Sequence, residues 1–247
     1  MAIMQTRCQW GWLIAFLILL FTIPQFASHS ILSIINIIAI SVVAVQGLNI
    51  LTGYCGQISI GQAAFVAVGA YTSAILVADY GFSFWAALPC AGIMAALVGL
   101  LFGLPALRVR GFYLALATLA AQFIIMFLIT HLPSLTGGTD GMRAPAPELG
   151  GMVFDSYEKF YYIIMVVAII MTFFAKNLVR TKVGRAFVAI RDNDIAAEVM
   201  GVNLSFYKLL AFFICSFYAG VAGSLWVHYA RFARAESFHL MLSIWLL

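Results

Sequence analysis

Charge is scarce in this sequence. Lys, Arg, Asp and Glu make up 9% of its 247 residues, against about 25% in a soluble globular domain. None of them falls in the middle of a long apolar run, which weighs against a proton-driven pump or a voltage sensor, since such proteins carry ionisable groups inside the membrane. The four cysteines, Cys8, Cys55, Cys90 and Cys215, have no C-x-x-C spacing, so no metal site or disulfide framework is expected and they read as small packing residues. His29, His131, His228 and His239 lack metal-ligand spacing, and no apolar run holds a carboxylate pair. No catalytic residue and no metal ligand is therefore assigned. A glycine-rich phosphate loop with its Lys is missing, so the chain cannot itself hydrolyse a nucleotide. No A-x-A-like cleavage site follows the apolar run after Arg7, and that run reads as an uncleaved first helix rather than a signal peptide.

What is present is apolar. The chain is 64% hydrophobic, with a mean hydropathy of +1.06. Runs of 16 to 21 apolar residues recur, long enough to cross a hydrocarbon core ~30 Å thick. The expected fold is an all-α polytopic membrane protein, one domain over residues 1–247. Seven spans are expected, at about Gly11–Ala27, Ile31–Leu51, Ile58–Ala78, Phe84–Leu104, Phe112–Thr130, Phe160–Ala175 and Leu209–Tyr229. An eighth run begins near Phe238, and its ten residues to Leu247 reach only about 15 Å, half a bilayer. A domain truncated at its C-terminus is the expectation.

The charges are unevenly shared. With the N-terminus inside, the inner segments hold Arg7, Arg108, Arg110, Lys176, Arg180, Lys182, Arg185, Arg191 and Lys208, nine in all, and the outer ones only Arg143, Lys159, Arg231 and Arg234. Nine against four places the N-terminus in the cytoplasm. Neutral polar residues within the runs, namely Asn36, Gln46, Asn49, Gln62 and Gln122, read as interhelical hydrogen bonds or as substrate contacts.

Four stretches carry further information. In Thr52-Gly-Tyr-Cys-Gly-Gln-Ile-Ser-Ile-Gly-Gln62 three glycines disfavour a regular helix, at about 1 kcal/mol each relative to Ala. Gly53, Gly56, Gln57, Ser59, Gly61 and Gln62 are candidates for a broken helix on a translocation path, or for a flexible turn before a tightly packed helix. Leu135-Thr-Gly-Gly-Thr-Asp-Gly141 specifies turns. Thr136, Gly137, Gly138, Asp140 and Gly141 form either an ordered external loop or a docking surface. Between Lys176 and Lys208, a loop holding six of the 13 basic residues, Asp192 is a candidate N-cap and Gly201 a candidate C′ residue. Ile195, Ala196, Val199 and Met200 then share one side of a two-turn helix, which needs a surface to lie against: the chain's own helix ends, the lipid interface or a partner. In the last complete span Cys215, Ala219 and Gly223 form one small-residue row and Ser216, Gly220 and Ser224 another, a face made for close helix packing.

In this order, Leu48–Tyr71, Leu135–Gly141 and above all Thr181-Lys-Val-Gly-Arg-Ala-Phe-Val-Ala-Ile-Arg-Asp-Asn-Asp-Ile-Ala-Ala-Glu-Val-Met-Gly201 resemble the permease subunits of ABC importers for branched-chain amino acids, of the LivM type. Such permeases carry a cytoplasmic E-A-A-x-x-x-G coupling motif. Ala196, Ala197 and Gly201 fit it, with Ile195 in place of the acid and Asp194 just before. The resemblance implies a multi-pass protein of the bacterial inner membrane that binds no cofactor itself. ATP and Mg would be used by two P-loop ATPase subunits, which would meet the coupling loop at residues 176–208, with Gly184, Arg185, Arg191, Asp192, Asp194, Ile195, Ala196, Ala197, Glu198, Val199, Met200 and Gly201 as its candidate residues. A second, LivH-like permease subunit and an external substrate-binding protein complete the expected partners beside the lipid bilayer, with no nucleic acid. Substrate would be leucine, isoleucine or valine, or urea or a short amide within the same family. The other class of reading is an ATP-independent secondary transporter or channel for a small neutral solute, for which the sequence offers no coupling charge and no clear inverted repeat.

Overall fold

The computed structural model describes residues 20–24, 28–107, 111–149, 152–154 and 157–247. The helices in chain order are α1 (His29–Leu48), α2 (Gln62–Ala78), α3 (Phe84–Gly103), α4 (Phe112–His131), the short α5 (Pro133–Thr136), α6 (Tyr157–Arg180), α7 (Lys182–Asp192), α8 (Asp194–Val199), α9 (Leu204–Ala230) and α10 (Leu240–Leu246). A π-helical turn, Asn49–Tyr54, extends α1.

Among the described residues five helices are long and apolar enough to cross a membrane: His29–Tyr54, Phe84–Gly103, Phe112–His131, Glu158–Arg180 and Leu204–Ala230. Gln62–Ala78 is apolar but shorter, at 17 residues. Of the seven complete spans expected, five have such helices among the described residues and a sixth has the shorter α2. Most of the expected first span lies outside the described residues. The expected eighth begins as a 3-10 turn, Ala235–Phe238, before α10.

The most buried helix is the longest, α9: 72% of its most apolar stretch is buried, against 28–44% for the other spans. Lipid gives apolar helices no hydrophobic reason to associate, so close contact between backbones and hydrogen bonds must hold them. The small-residue rows supply that contact. A Cβ on Gly220 would lie 2.6 Å from Ala91 O of α3 and 2.6 Å from Ala95 Cβ. A Cβ on Gly69 of α2 would collide with the Gly220 backbone, and one on Gly47 of α1 would sit 2.8 Å from Cys215 O. Helices α1, α2 and α3 therefore pack around α9 through residues without bulk, and the rows act in packing. Large apolar side chains such as Ile34, Ile38, Phe123, Phe127 and Phe173 point outward, as a hydrocarbon surrounding requires.

The neutral polar residues divide. Gln46 donates to Thr172 Oγ1 (2.6 Å), Gln62 to Ala44 O (3.1 Å) and Gln122 to Phe238 O (2.9 Å). Each bond joins separate elements, as expected of interhelical bonds. Asn49 is exposed. Asn36 is fully buried, and neither amide atom has a hydrogen-bond partner among the described residues.

The two ends of the bundle differ. One, the basic end, gathers Gly53, Gly111, α7 and α8. The other carries the strand pair Met142–Arg143 (β1) with Phe232–Ala233 (β4), and the pair Glu148–Leu149 (β2) with Met152–Val153 (β3). His228 Nδ1 donates to Pro145 O (2.9 Å), because a carbonyl can only accept. Its Nε2 then accepts from Ser73 Oγ (3.0 Å), which accepts in turn from Ser224 Oγ (2.8 Å). This relay ties the loop to α2 and α9. Segments that alternate along the chain thus sort to two ends, as the sequence reading requires.

Candidate functional site

At the basic end the stretch expected as one loop, Lys176–Lys208, is mostly helical. Helix α6 runs on to Arg180, carrying Lys176 in its last turns, and Lys208 lies buried inside α9. Only Thr181, Asn193 and residues 200–203 are non-helical between them. Each helix start has its own cap. Thr181 Oγ1 accepts from Val183 N (3.2 Å), Asn193 Oδ1 from Ala196 N (3.1 Å) and Asn203 Oδ1 from Phe206 N (3.1 Å). The N-cap of α8 is therefore Asn193, one residue beyond the expected Asp192, which ends α7 and is exposed. Asn193 is extended (φ −160°, ψ 103°) and serves both helices, its own N–H bonding Ala189 O (3.1 Å).

The end of α8 follows the sequence reading. Gly201 takes φ +86°, Val202 N bonds Ala197 O (3.0 Å) and Gly201 N bonds Glu198 O (2.9 Å), which is the Schellman pattern. On α7, Gly184, Ala186, Phe187 and Ile190 face inward while Arg185 stays exposed. A Cβ on Gly184 would collide with the Val179 backbone of α6, so a small residue there permits the sharp turn from α6 into α7. Asp194 pairs with Lys208 of α9 (3.7 Å).

Helix α8 buries one residue and offers the rest. Ala197 is 5% exposed, whereas Ile195 is 66%, Val199 82% and Met200 83% exposed, with Ala196 and Glu198 exposed as well. Six residues cannot hold a helix on their own. Caps at both ends, the Asp194–Lys208 pair and Ala197 keep it in place, and its apolar side remains uncovered by the described residues.

The broken stretch is broken. After the π turn, Cys55 to Gly61 are not helical, and α2 starts only at Gln62. The expected span from Ile58 is corrected accordingly. Gln57 and Ser59 are buried, and Gln57 Oε1 and Ser59 Oγ have no hydrogen-bond partner among the described residues. A Cβ on Gly61 would lie 2.5 Å from Thr118 O of α4. Three side chains from elsewhere satisfy this backbone: Thr118 Oγ1 accepts from Ile60 N (2.9 Å), Ser243 Oγ from Ala63 N (2.8 Å) and Gln122 Oε1 from Ala64 N (2.7 Å). Sequence reading missed Thr118 and Ser243 and saw Gln122 only as one polar residue among five. Gln62 Oε1 accepts from Cys215 Sγ (3.2 Å), joining α2 to α9.

The structure brings the first and third motifs together. Arg191 Nη1 donates to Gly53 O (2.6 Å), and a cavity of about 360 Å³ between the two motifs is lined by Gly56, Gln57, Leu114, Arg191, Asp194 and Lys208. Burial pushes the Cys55 thiol at this site up to about 12, against a smaller lowering by Lys208, which favours the protonated form. Among the described residues no group of His, Cys, Asp and Glu is placed to hold a metal. The glycine loop lies at the opposite end. Gly137, Gly138 and Gly141 take φ of +72°, +59° and +73°, Thr136 is buried with Oγ1 donating to Ile129 O (2.6 Å), and Asp140 is exposed.

A bundle of apolar helices with uncharged centres, a helix broken inside it and an uncovered amphipathic helix at its basic end defines a polytopic membrane protein of the permease class. The family described as "Branched-chain amino acid transport system / permease component" matches residues 30–247, and the chain belongs to it. It is 34% identical over 250 aligned residues to the high-affinity branched-chain amino acid transport system permease protein LivM of Escherichia coli K12, covering 92% of this chain and 59% of that protein. The corresponding Salmonella typhimurium LT2 protein is 33% identical, with the same coverage. A probable branched-chain amino acid transport permease LivM of Methanocaldococcus jannaschii is 25% identical over 150 residues, 60% of this chain and 43% of that protein. The chain thus spans 59% of the length of the first two relatives. No solved structure matches it.

Proposed function

We propose that this chain is a permease subunit of an ATP-driven ABC importer in the bacterial inner membrane. It would move branched-chain amino acids, or related small solutes, by alternating access. The relatives' names supply the substrate class, and spans without central charge suit a solute of no net charge. The excess of Lys and Arg at the basic end supports a cytoplasmic location for that end and for the N-terminus. ATP and Mg would be used by two separate P-loop ATPases. A second, LivH-like permease would complete the path, and an external binding protein would deliver substrate to the opposite end, where a cavity of about 670 Å³ is lined in part by Arg143 and Arg231. Gln57 and Ser59, buried with unpaired polar atoms in the broken stretch, are the proposed substrate contacts on the path.

One observation carries the assignment: α8 is braced by its caps, Ala197 and Lys208, yet leaves Ile195, Val199 and Met200 uncovered. Apolar side chains held out from a polar end call for a partner groove, and the proposed occupant is the ATPase. The variant I195D/V199D should insert into the membrane as wild type does and lose co-purification with the ATPase; unchanged association would refute the coupling role. Uptake of radiolabelled leucine and urea by the assembled transporter reads the substrate directly.

A further inference from the structure

Resting on the importer reading, we infer that Arg191 is the coupling lever of this permease: it passes movement of α8 to the broken stretch through the Gly53 carbonyl, without touching the ATPase. The π turn ends at Tyr54, and after Cys55 the chain turns away at Gly56 with φ +72°, so the last carbonyls of the turn lose their helical partners. Arg191 supplies one. Its Nη1 donates to Gly53 O at 2.6 Å, and its stem lies along Gly56, where a Cβ would come within 3.1 Å of Arg191 Cγ. Head and stem thus hold two points of the same broken segment.

Arg191 stands two residues from Asn193, the joint of α7 and α8. Asn193 bonds back to Ala189 O (3.1 Å), while its Oδ1 takes Ala196 N–H and its carbonyl takes Ala197 N–H (3.0 Å). Helices fixed at both sides of one residue move together, so displacement of α8 turns the end of α7 and carries Arg191 with it. Beside this contact lies the cavity of about 360 Å³, which leaves Gly56 and Gln57 room to follow. The receiving element is a π turn, a geometry rare enough to recur at functional sites. A guanidinium is well matched to such a role, because it stays charged at all working pH and reaches its acceptor through a rigid fork, which a Lys ammonium lacks.

The test uses the assembled transporter in proteoliposomes. In R191Q the ATPase should still co-purify and hydrolyse ATP, while leucine taken up per ATP falls about tenfold, the size of an ordinary allosteric coupling. R191K should recover part of it. An R191Q transporter with wild-type uptake per ATP would overturn the inference. A second measurement needs no variant: hydrogen exchange of residues 49–57 in the wild-type transporter should change between nucleotide-free and ATP-bound states together with residues 182–192. Exchange at 49–57 that ignores nucleotide would overturn the inference whether or not R191Q assembles. A wild-type chain that binds no ATPase would instead refute the importer reading, and the lever with it.

Discussion

At the scale of single residues, Gln122 shows how much one neutral side chain can organise in a low-dielectric surrounding. It accepts from Ala64 N and Ser243 Oγ and donates to Phe238 O, linking α2, α4, α10 and the turn before it. Replacing it with Leu (Q122L) takes the donor from the buried Phe238 C=O and the acceptor from the Ser243 O–H, while Ala64 N–H keeps Gly61 O (3.2 Å); each loss costs about 1–3 kcal/mol in general and tends toward the lower figure for interhelical bonds in membranes. Q122L should lower the melting temperature of the detergent-solubilised protein by several degrees, read by heating and size-exclusion chromatography. Gly201 was legible in the sequence, because an amphipathic helix ending on glycine calls for a left-handed residue there. The choice of Asn193 over Asp192 was not. Both side chains can cap, and the helix that uses Asp192 as its last residue decides between them.

At the scale of elements, small-residue rows decide the packing. Gly220 meets α3 on one side and Gly69 of α2 on the other, and the atoms it meets are mostly backbone. Neighbouring side chains can turn aside, but backbone cannot, so G220V should cost about 3 kcal/mol or more, the upper end of overpacking. That exceeds the loss expected for either half of the Gln122 network, and the protein should elute aggregated after mild heating at which Q122L still elutes as wild type. Hydropathy located the centres of α1, α3, α4, α6 and α9 but not their ends. It reports where lipid is tolerated, whereas the backbone stays helical past that limit, through Arg180 of α6 and from Leu204 of α9. The reverse holds at residues 58–61, apolar enough for a span yet not helical: Gly56 turns the chain at φ +72°, and Gly61 sits where a Cβ would lie 2.5 Å from Thr118 O of α4.

At the scale of the whole molecule, the separation into two unlike ends is the feature on which the proposed transport would rest. The proposed orientation predicts that a single cysteine at exposed Asp140 (D140C) reacts with a membrane-impermeant maleimide in intact spheroplasts, while one at exposed Glu198 (E198C) reacts only after permeabilisation. The opposite pattern would invert the topology. The sequence announced the sorting through charge and announced the uncovered face of α8 through periodicity. It could not announce that Arg191 reaches Gly53, 138 positions away, since nothing local marks a carbonyl that will lack a partner.

The buried start of α2 bears on how such a protein is made. Its first turn is satisfied by Gln122 and Ser243, 58 and 180 positions further along than the amides they bond. A ribosome delivers α2 long before it delivers Ser243, so the nascent α2 must wait, its leading amides served by water or by the insertion machinery. This helix closes only when nearly all of the described chain has been synthesised, and the order of birth along the chain is not the order in which its membrane helices are finished.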